Sequence, residues 1–467
     1  MEWFTAPGYA LSRLVLLRLL AVVYLVGFLA AARQFRALIG SRGMLPVPRH
    51  LRHRTFWEAP SLFQFGYSDR GFAVVAWGGA SLAAAVAAGL ADLVPLWASM
   101  LLWALLWLLY LSIVNVGQTW YSFGWESLLL EAGFLAVFLG NAKVAPPVLV
   151  LFLFRWLLFR VEFGAGLIKL RGDRCWRDLT CLRYHHETQP MPGPLSWYFH
   201  HLPMPLHRVE AAANHLAQLG LPVLLFTPQP IASWAAGAMV VTQLWLVASG
   251  NFAWLNWLTI TLAFGALRLP GAGHLATARA PLWYEVLVLG ATALVLWLSY
   301  RPARNLLSRG QLMNYSFNQL HLVNTYGAFG SINRIRFEVV VEGTDEERLT
   351  PTTVWREYEF RGKPGDVRRR PRQFAPYHLR LDWLMWFAGI SPAYARPWLR
   401  PFAERLLAGD RATLRLLRHN PFPHAPPAQV RAVLYRYRFT TWPERRATGA
   451  WWHRTRLRVY LAPVKRL

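Results

Sequence analysis

Residues 146–170 read "PPVLVLFLFRWLLFRVEFGAGLIKL", an apolar run interrupted by Arg155, Arg160, Glu162 and Lys169. An α-helix needs roughly 20 mostly apolar residues to cross the hydrocarbon core of a bilayer. A charge near the middle of such a helix costs at least about 2.5 kcal/mol unless it is paired or wetted. The run therefore predicts a membrane helix inside a bundle, with its charges turned inward. "YALSRLVLLRLLAVVYLVGFLAAA" (9–32), "LVPLWASMLLWALLWLLYLSIV" (93–114) and "PLWYEVLVLGATALVLWLSY" (281–300) repeat the composition, and the 467-residue chain is 55% hydrophobic and only 16% charged. This is the signature of a multi-pass integral membrane protein.

About nine apolar segments are expected, near residues 9–32, 72–90, 94–115, 124–140, 147–170, 211–226, 231–249, 252–267 and 282–300. The first lacks a small-residue cleavage site and is followed by further spans, so it is read as a retained helix rather than a removable signal. After Arg301 the pattern changes to period-two alternation in 334–343, 354–362, 430–439 and 454–463, with helical stretches at 377–390 and 401–420. Such alternation marks strands. We expect a helical membrane domain over 1–300 followed by an α+β, strand-rich domain over 301–467, large enough to hold its own core.

The formal charge is +26, and residues 301–467 carry 30 Lys and Arg against 12 Asp and Glu, densest at Arg368–Arg372. A basic surface beside a bilayer suits anionic headgroups. Nucleic acid is not an expected partner, because no aromatic-interleaved binding motif occurs. Sidedness is read in two ways. The loops at 33–70 and 171–210 hold seven and five Arg, against Lys143, Arg268 and Arg279 opposite, which places the tail in the cytoplasm by the positive-inside rule. The only cysteines, Cys175 and Cys181, are spaced to permit a disulfide on an oxidising face, which argues the reverse.

Arg155, Glu162 and Lys169 are successive sevens, so they share one helix face at about 10 Å intervals. With Arg18, Arg160, Glu126 and Glu131 they form an expected intramembrane polar network, in which Glu126 or Glu131 supplies counter-charge to that face and Arg18 meets one of the two. Its plain function would be to fix helix register. Under a catalytic reading, Lys169 and Glu162 are the candidates. In the loop that follows, Cys175, Cys181, His185 and His186 suit zinc by ligand type but not by spacing. Neither cysteine sits on an evident nucleophile elbow, and phosphate-cradling loops, metalloprotease helices and Gly-x-Ser-x-Gly are missing from the sequence. No metal and no cofactor are expected.

The blocks "GWESLLLEAGFL" (124–135), "KLRGDRCWRDLTCLRYHHETQPMPGP" (169–194), "HHLPMPLHRVE" (200–210), "GNFAWLNWLTI" (250–260), "VNTYGAFGSINRIRFEVVVEGT" (323–344), "WREYEFRGKPGD" (355–366), "RRRPRQFAPYHLRLDWLMWF" (368–387) and "HNPF" (419–422) resemble, in order, the signature blocks of the lipase maturation factor family. That resemblance implies a membrane-embedded factor that helps an exported client, a lipase in the animal members, reach its active form. It makes Asp173, Trp176, Arg177, Asp178, His185, His186 and Glu187 a family-motif loop. It also implies that the tail and the cysteine loop are exoplasmic, with Cys175 and Cys181 oxidised to each other. The ending "LAPVKRL" carries no retention signal, and the Arg-, Ala- and Leu-rich composition leads us to expect a bacterial chain in the inner membrane. A eukaryotic one would lie in the endoplasmic reticulum membrane.

"FGAGLIKLRGDRCW" (163–176) is further similar to the segment of vitamin K-dependent gamma-glutamyl carboxylases and their membrane relatives that bears the catalytic lysine, with Lys169 at that position. It implies the alternative of an integral-membrane enzyme acting on a lipidic or quinone-like molecule in an enclosed cavity. Under the maturation-factor reading, Trp383, Trp386, Trp451 and Trp452 are candidates for an exposed face that holds the client.

Overall fold

A computed structural model describes residues 3–271 and 278–466. In chain order the main helices of the first part are α1 (Ala10–Leu38), α2 (Asp69–Ala88), α3 (Leu96–Val116), α4 (Gly124–Val137), α5 (Val148–Arg171), α6 (Met204–His215), α7 (Ile231–Ser249), α8 (Leu255–Ala263) and α9 (Leu282–Leu298). Pro95, Pro147 and Pro281 directly precede α3, α5 and α9. Their fixed φ and missing N–H suit a helix start, where that donor would go unused. Ser68 caps α2 by accepting the Gly71 N–H.

Among the described residues, five helices are long and apolar enough to cross a membrane: Pro7–Leu38, Asp69–Ala88, Leu96–Val116, Ile231–Ser249 and Leu282–Leu307. The expected count of nine is not reproduced on those criteria. Segment 124–140 folds as the 14-residue α4 and segment 252–267 as the nine-residue α8, both almost wholly buried in protein. Segment 211–226 breaks into the end of α6, a π-helical turn at Leu216–Gly220 and the short helix Leu221–Leu224. Segment 147–170 is the 24-residue α5, long enough but charged, with only Phe152 among its large apolar side chains exposed. Apolarity in 124–140, 147–170 and 252–267 reflects burial among other helices, which a hydropathy reading cannot tell from burial in lipid, whereas 211–226 leaves Leu216, Val223, Leu224 and Phe226 exposed and is interrupted by the π-turn and Pro222.

Close helix contacts rest on small residues, as expected where no water is displaced to drive association. A Cβ on Gly79 of α2 would strike the ring of Phe28 on α1, and one on Gly133 of α4 would strike the Tyr24 hydroxyl. Tyr24 spends that hydroxyl on the Leu129 carbonyl at 3.1 Å.

The tail contains a two-stranded pair, β1 (Tyr315–Ser316) and β2 (Asn324–Thr325), then a four-stranded antiparallel sheet in the order β4-β3-β5-β6, formed by β3 (Arg336–Thr344), β4 (Arg356–Glu357), β5 (Gln429–Phe439) and β6 (Trp452–Lys465). Its helices include α10 (Arg380–Ile390) and α11 (Leu399–Leu407). β4 is cut to two paired residues because the chain turns inward after Glu357: Tyr358 and Phe360 are buried, and Glu359 bridges to His419 instead. β6 is an outer strand whose exposed Arg456 and Arg458 discourage pairing with another chain.

One continuous cluster of buried apolar residues runs from Phe4 in the helices to Leu434 on β5. α10 joins the two parts. It lies on the sheet so closely that a Cβ on Gly389 would strike the Phe337 carbonyl, and its Trp383 packs edge-on against Trp125 of α4 at 4.8 Å. Three of the candidate client-facing tryptophans are therefore core, since Trp383, Trp451 and Trp452 are buried, while the half-buried Trp386 lines a cavity. Trp451 packs on Trp197 of the 171–210 loop and Trp452 stacks on Phe439 at 4.0 Å. Burying those rings against neighbouring apolar surface outweighs leaving them free for a partner.

Candidate functional site

A cavity of about 950 Å³ opens between α5, α6, α7, the segment 326–331 and α10. Its wall is mostly apolar and aromatic, with Trp125, Phe252, Trp383 and Phe387 among the lining residues. Glu162, Lys169, His185, Glu210, Asn214, Gln218 and Gln243 are among its polar groups. An apolar pocket of this size with a few convergent polar groups is the usual form of a small-molecule site.

Lys169 is buried at the end of α5. Its Nζ donates to Asn214 Oδ1 at 2.8 Å and Gln218 Oε1 at 2.7 Å, and lies 4.9 Å from the Trp176 ring centroid. The π-helical turn at Leu216–Gly220 carries Gln218, and such insertions recur at functional sites. Among the described residues no carboxylate forms a salt bridge with Lys169. Glu162, one heptad earlier, accepts from Gln243 Nε2 at 2.6 Å, and Gln243 Oε1 accepts from Asn256 at 2.7 Å. The two candidate groups of the catalytic reading thus share one cavity, each held by neutral amides.

The remaining members of the expected network are separated. Among the described residues Arg155 has no acidic partner: it donates to Tyr9 Oη at 2.7 Å, the Gly265 carbonyl at 3.1 Å and the Leu225 carbonyl at 3.3 Å. Arg160 pairs with Glu131, which also accepts from Tyr326 Oη at 2.7 Å and from the backbone and side chain of Asn324 at 3.0 and 2.9 Å. Glu126 binds Arg380 of the tail at 2.6 Å and accepts from Tyr110 Oη at 2.5 Å, while Arg380 lies over the Tyr121 ring at 3.5 Å. Arg18 meets neither glutamate. It reaches Asp92 at 2.7 Å and the Ala87 carbonyl at 2.8 Å. Neither expected counter-charge meets the heptad face: Glu131 goes to Arg160, a network member on another face of α5, and Glu126 to Arg380, 254 residues away and unforeseen.

Cys175 and Cys181 form a disulfide, so neither is free as a zinc ligand or nucleophile. Asp173 caps the short helix that follows by accepting the Cys175 N–H at 3.1 Å, and it pairs with Arg334 at 2.8 Å. Partial burial pushes its carboxyl up, but that N–H and Arg334 hold it below the ordinary range. The Trp176 indole N–H donates to the Phe329 carbonyl at 2.8 Å, which fixes its ring beneath Lys169. His185 packs on Phe329 and Phe252, His186 faces Glu210 at 3.3 Å, and Glu187 accepts the Phe439 N–H of the sheet at 2.7 Å. Arg177 and Asp178 are exposed. The loop therefore joins the cavity wall to the tail. The spacing of Asn214 and Gln218, i and i+4 on a helical stretch, was the available signal for the Lys169 partners; Gln243 and Asn256 carried none.

A helical integral-membrane protein built around an internal apolar cavity is the class these features define. The sequence model described as the lipase maturation factor transmembrane domain matches residues 11–269, and that described as the lipase maturation factor C-terminal domain matches residues 322–462. The chain belongs to the lipase maturation factor family. It is 43% identical to lipase maturation factor 1 of Bos taurus, over 99% of this chain and 90% of that protein. It is 42% identical to the Homo sapiens protein of that name, over 97% and 88%. Identity is 30% to lipase maturation factor 2 of Gallus gallus, over 95% and 80%. No solved structure matches the chain.

Proposed function

We propose that this protein is a membrane-embedded maturation factor that assists an exported client, with a lipase as the client the relatives' names suggest. The observation that carries this reading is the near end-to-end identity to lipase maturation factor 1, spanning both the helical part and the tail. In this reading all nine apolar segments lie at membrane depth, five as spans. The tail and the 171–210 loop are exoplasmic, where the Cys175–Cys181 disulfide is chemically at home. The membrane is the inner membrane of a bacterium, or the endoplasmic reticulum in a eukaryote. The net positive tail sits beside anionic headgroups. Client contact falls to exposed apolar side chains of the outer strand, Leu457 and Val459, since Trp383, Trp451 and Trp452 are core and Trp386 is half-buried. Deleting the gene should lower the specific activity of secreted lipase while the amount synthesised stays constant. An unchanged secreted lipase activity would refute the proposal.

A second reading is favoured by one observation, the convergence of Lys169 and Glu162 on the 950 Å³ cavity. It makes the protein an integral-membrane enzyme for a lipidic or quinone-like molecule, with Lys169 as the acting base. Lys169→Met decides between the two. A folded but inactive variant favours the enzyme, and a folded, fully active one removes it.

A further inference from the structure

At the cavity wall three histidines and a glutamate come together, and neither reading gives them a chemical role. His186 lies on the short helix Leu182–Thr188, and His207 and Glu210 on α6. The i, i+3 spacing of His207 and Glu210 puts both on one face of that helix, and the donor atoms of the three residues lie within 4.8 Å of one another. His186 Nε2 stands 3.3 Å from Glu210 Oε2. Two ligand atoms bound at about 2.0 Å to a tetrahedral ion are themselves about 3.3 Å apart.

Unpartnered nitrogen is the second observation. His207 is 1% exposed, yet among the described residues its Nδ1 has no hydrogen-bond partner, and His186, also 1% exposed, turns its Nε2 to Glu210. Leaving buried polar atoms unsatisfied is unfavourable, and such atoms in a folded protein call for an explanation. The surroundings already supply what a metal-binding set requires around its ligands. His207 Nε2 faces the His200 carbonyl at 3.4 Å, which only accepts, so the proton sits on Nε2 and the Nδ1 lone pair is available. Glu210 Oε1 is held by the Trp245 indole N–H at 2.7 Å, leaving Oε2 toward His186. Outer hydrogen bonds of this kind fix ligand tautomer and orientation.

We propose that His186, His207 and Glu210 bind a divalent first-row transition-metal ion, zinc or iron, with two imidazoles and one carboxylate as protein ligands. Two nitrogens and one oxygen leave at least one coordination position open, and Glu210 borders the cavity through which a further ligand would reach it. The disulfide plays no part in the site.

The full-length protein, purified in detergent without chelator, should contain about one equivalent of zinc or iron by elemental analysis. Chelator-stripped protein should recover one equivalent after incubation with zinc sulfate, or with ferrous sulfate without oxygen, followed by desalting. His207→Gln and Glu210→Gln, eluting as folded monodisperse protein, should each retain less than about a tenth of that metal. Wild-type protein that takes up neither ion overturns the proposal, and so do folded variants that keep it. Should both variants aggregate, X-ray absorption of the metal-loaded wild type decides: imidazole scattering with no sulfur supports the site, and its absence overturns it.

Discussion

At the scale of single residues, the buried charges divide by what a mutation would leave behind. Glu131 holds Arg160, and both side chains are 1% exposed. Removing one partner of such a pair leaves the other uncompensated, which costs about 3–5 kcal/mol. Glu131→Gln should therefore lower the thermal midpoint of the detergent-solubilised protein by many degrees. Arg18→Gln should shift it little, because Arg18 and Asp92 are 30% and 19% exposed and such pairs contribute about 1 kcal/mol or less. Asp382 gives a pH signature. Burial pushes its carboxyl up to about 6 from 3.8, against the opposing pull of the Gly362 N–H and Lys363. Between those values the folded chain holds a proton that the unfolded chain has released, so stability from this residue falls as pH rises from 3.8 to 6. Asp382→Asn keeps an acceptor for Gly362 and should raise stability above pH 6 by on the order of 2 kcal/mol. Melting curves across pH 4–7.5 should lose part of their slope in the variant. The sequence marked Glu126, Glu131 and the α5 charges as inward groups. It could not assign their partners, because Arg380 reaches Glu126 from the tail and Arg155 settles for carbonyls and a tyrosine.

Among elements, length was the least legible property. The runs at 124–140 and 252–267 are apolar enough for membrane helices but fold as 14 and nine residues, since protein surrounds them and no lipid thickness sets their extent. Strands read more directly. Alternation located β3, β5 and β6 to within about two residues at most ends, and it overextended β4, whose inward residues are buried by a turn rather than by pairing. The helix contacts make a sharp prediction. Gly133→Ala must displace Tyr24 and its bond to Leu129, and overpacking of this kind costs about 1–3 kcal/mol. The double variant Gly133→Ala, Tyr24→Phe removes the clashing hydroxyl and should recover part of the loss, since ring carbons at 2.7 and 2.9 Å still crowd the new methyl. If the two changes add, the helices do not meet there.

Across the whole molecule, the boundary near residue 301 separates two compositions, while the buried core and the Glu126–Arg380 pair cross it. We expect residues 305–467 expressed alone to keep the four-stranded sheet, with α10 losing amide protection because its partners on α4 are gone. Uniform protection, or none, would contradict this division. The cavity was foreseen only through Lys169 and Glu162 on α5; its other walls come from α6, α7, 326–331 and α10, which are distant in sequence.

If the tail engages an exported protein, photo-crosslinking in native membranes should capture that protein. A photoreactive residue at Leu457 or Val459, exposed by 47% and 49%, should yield adducts with a secreted polypeptide that are lost when secretory synthesis is blocked. If those positions give no polypeptide adduct while a probe at Leu206 in the cavity wall captures a small hydrophobic molecule, the maturation-factor account is contradicted.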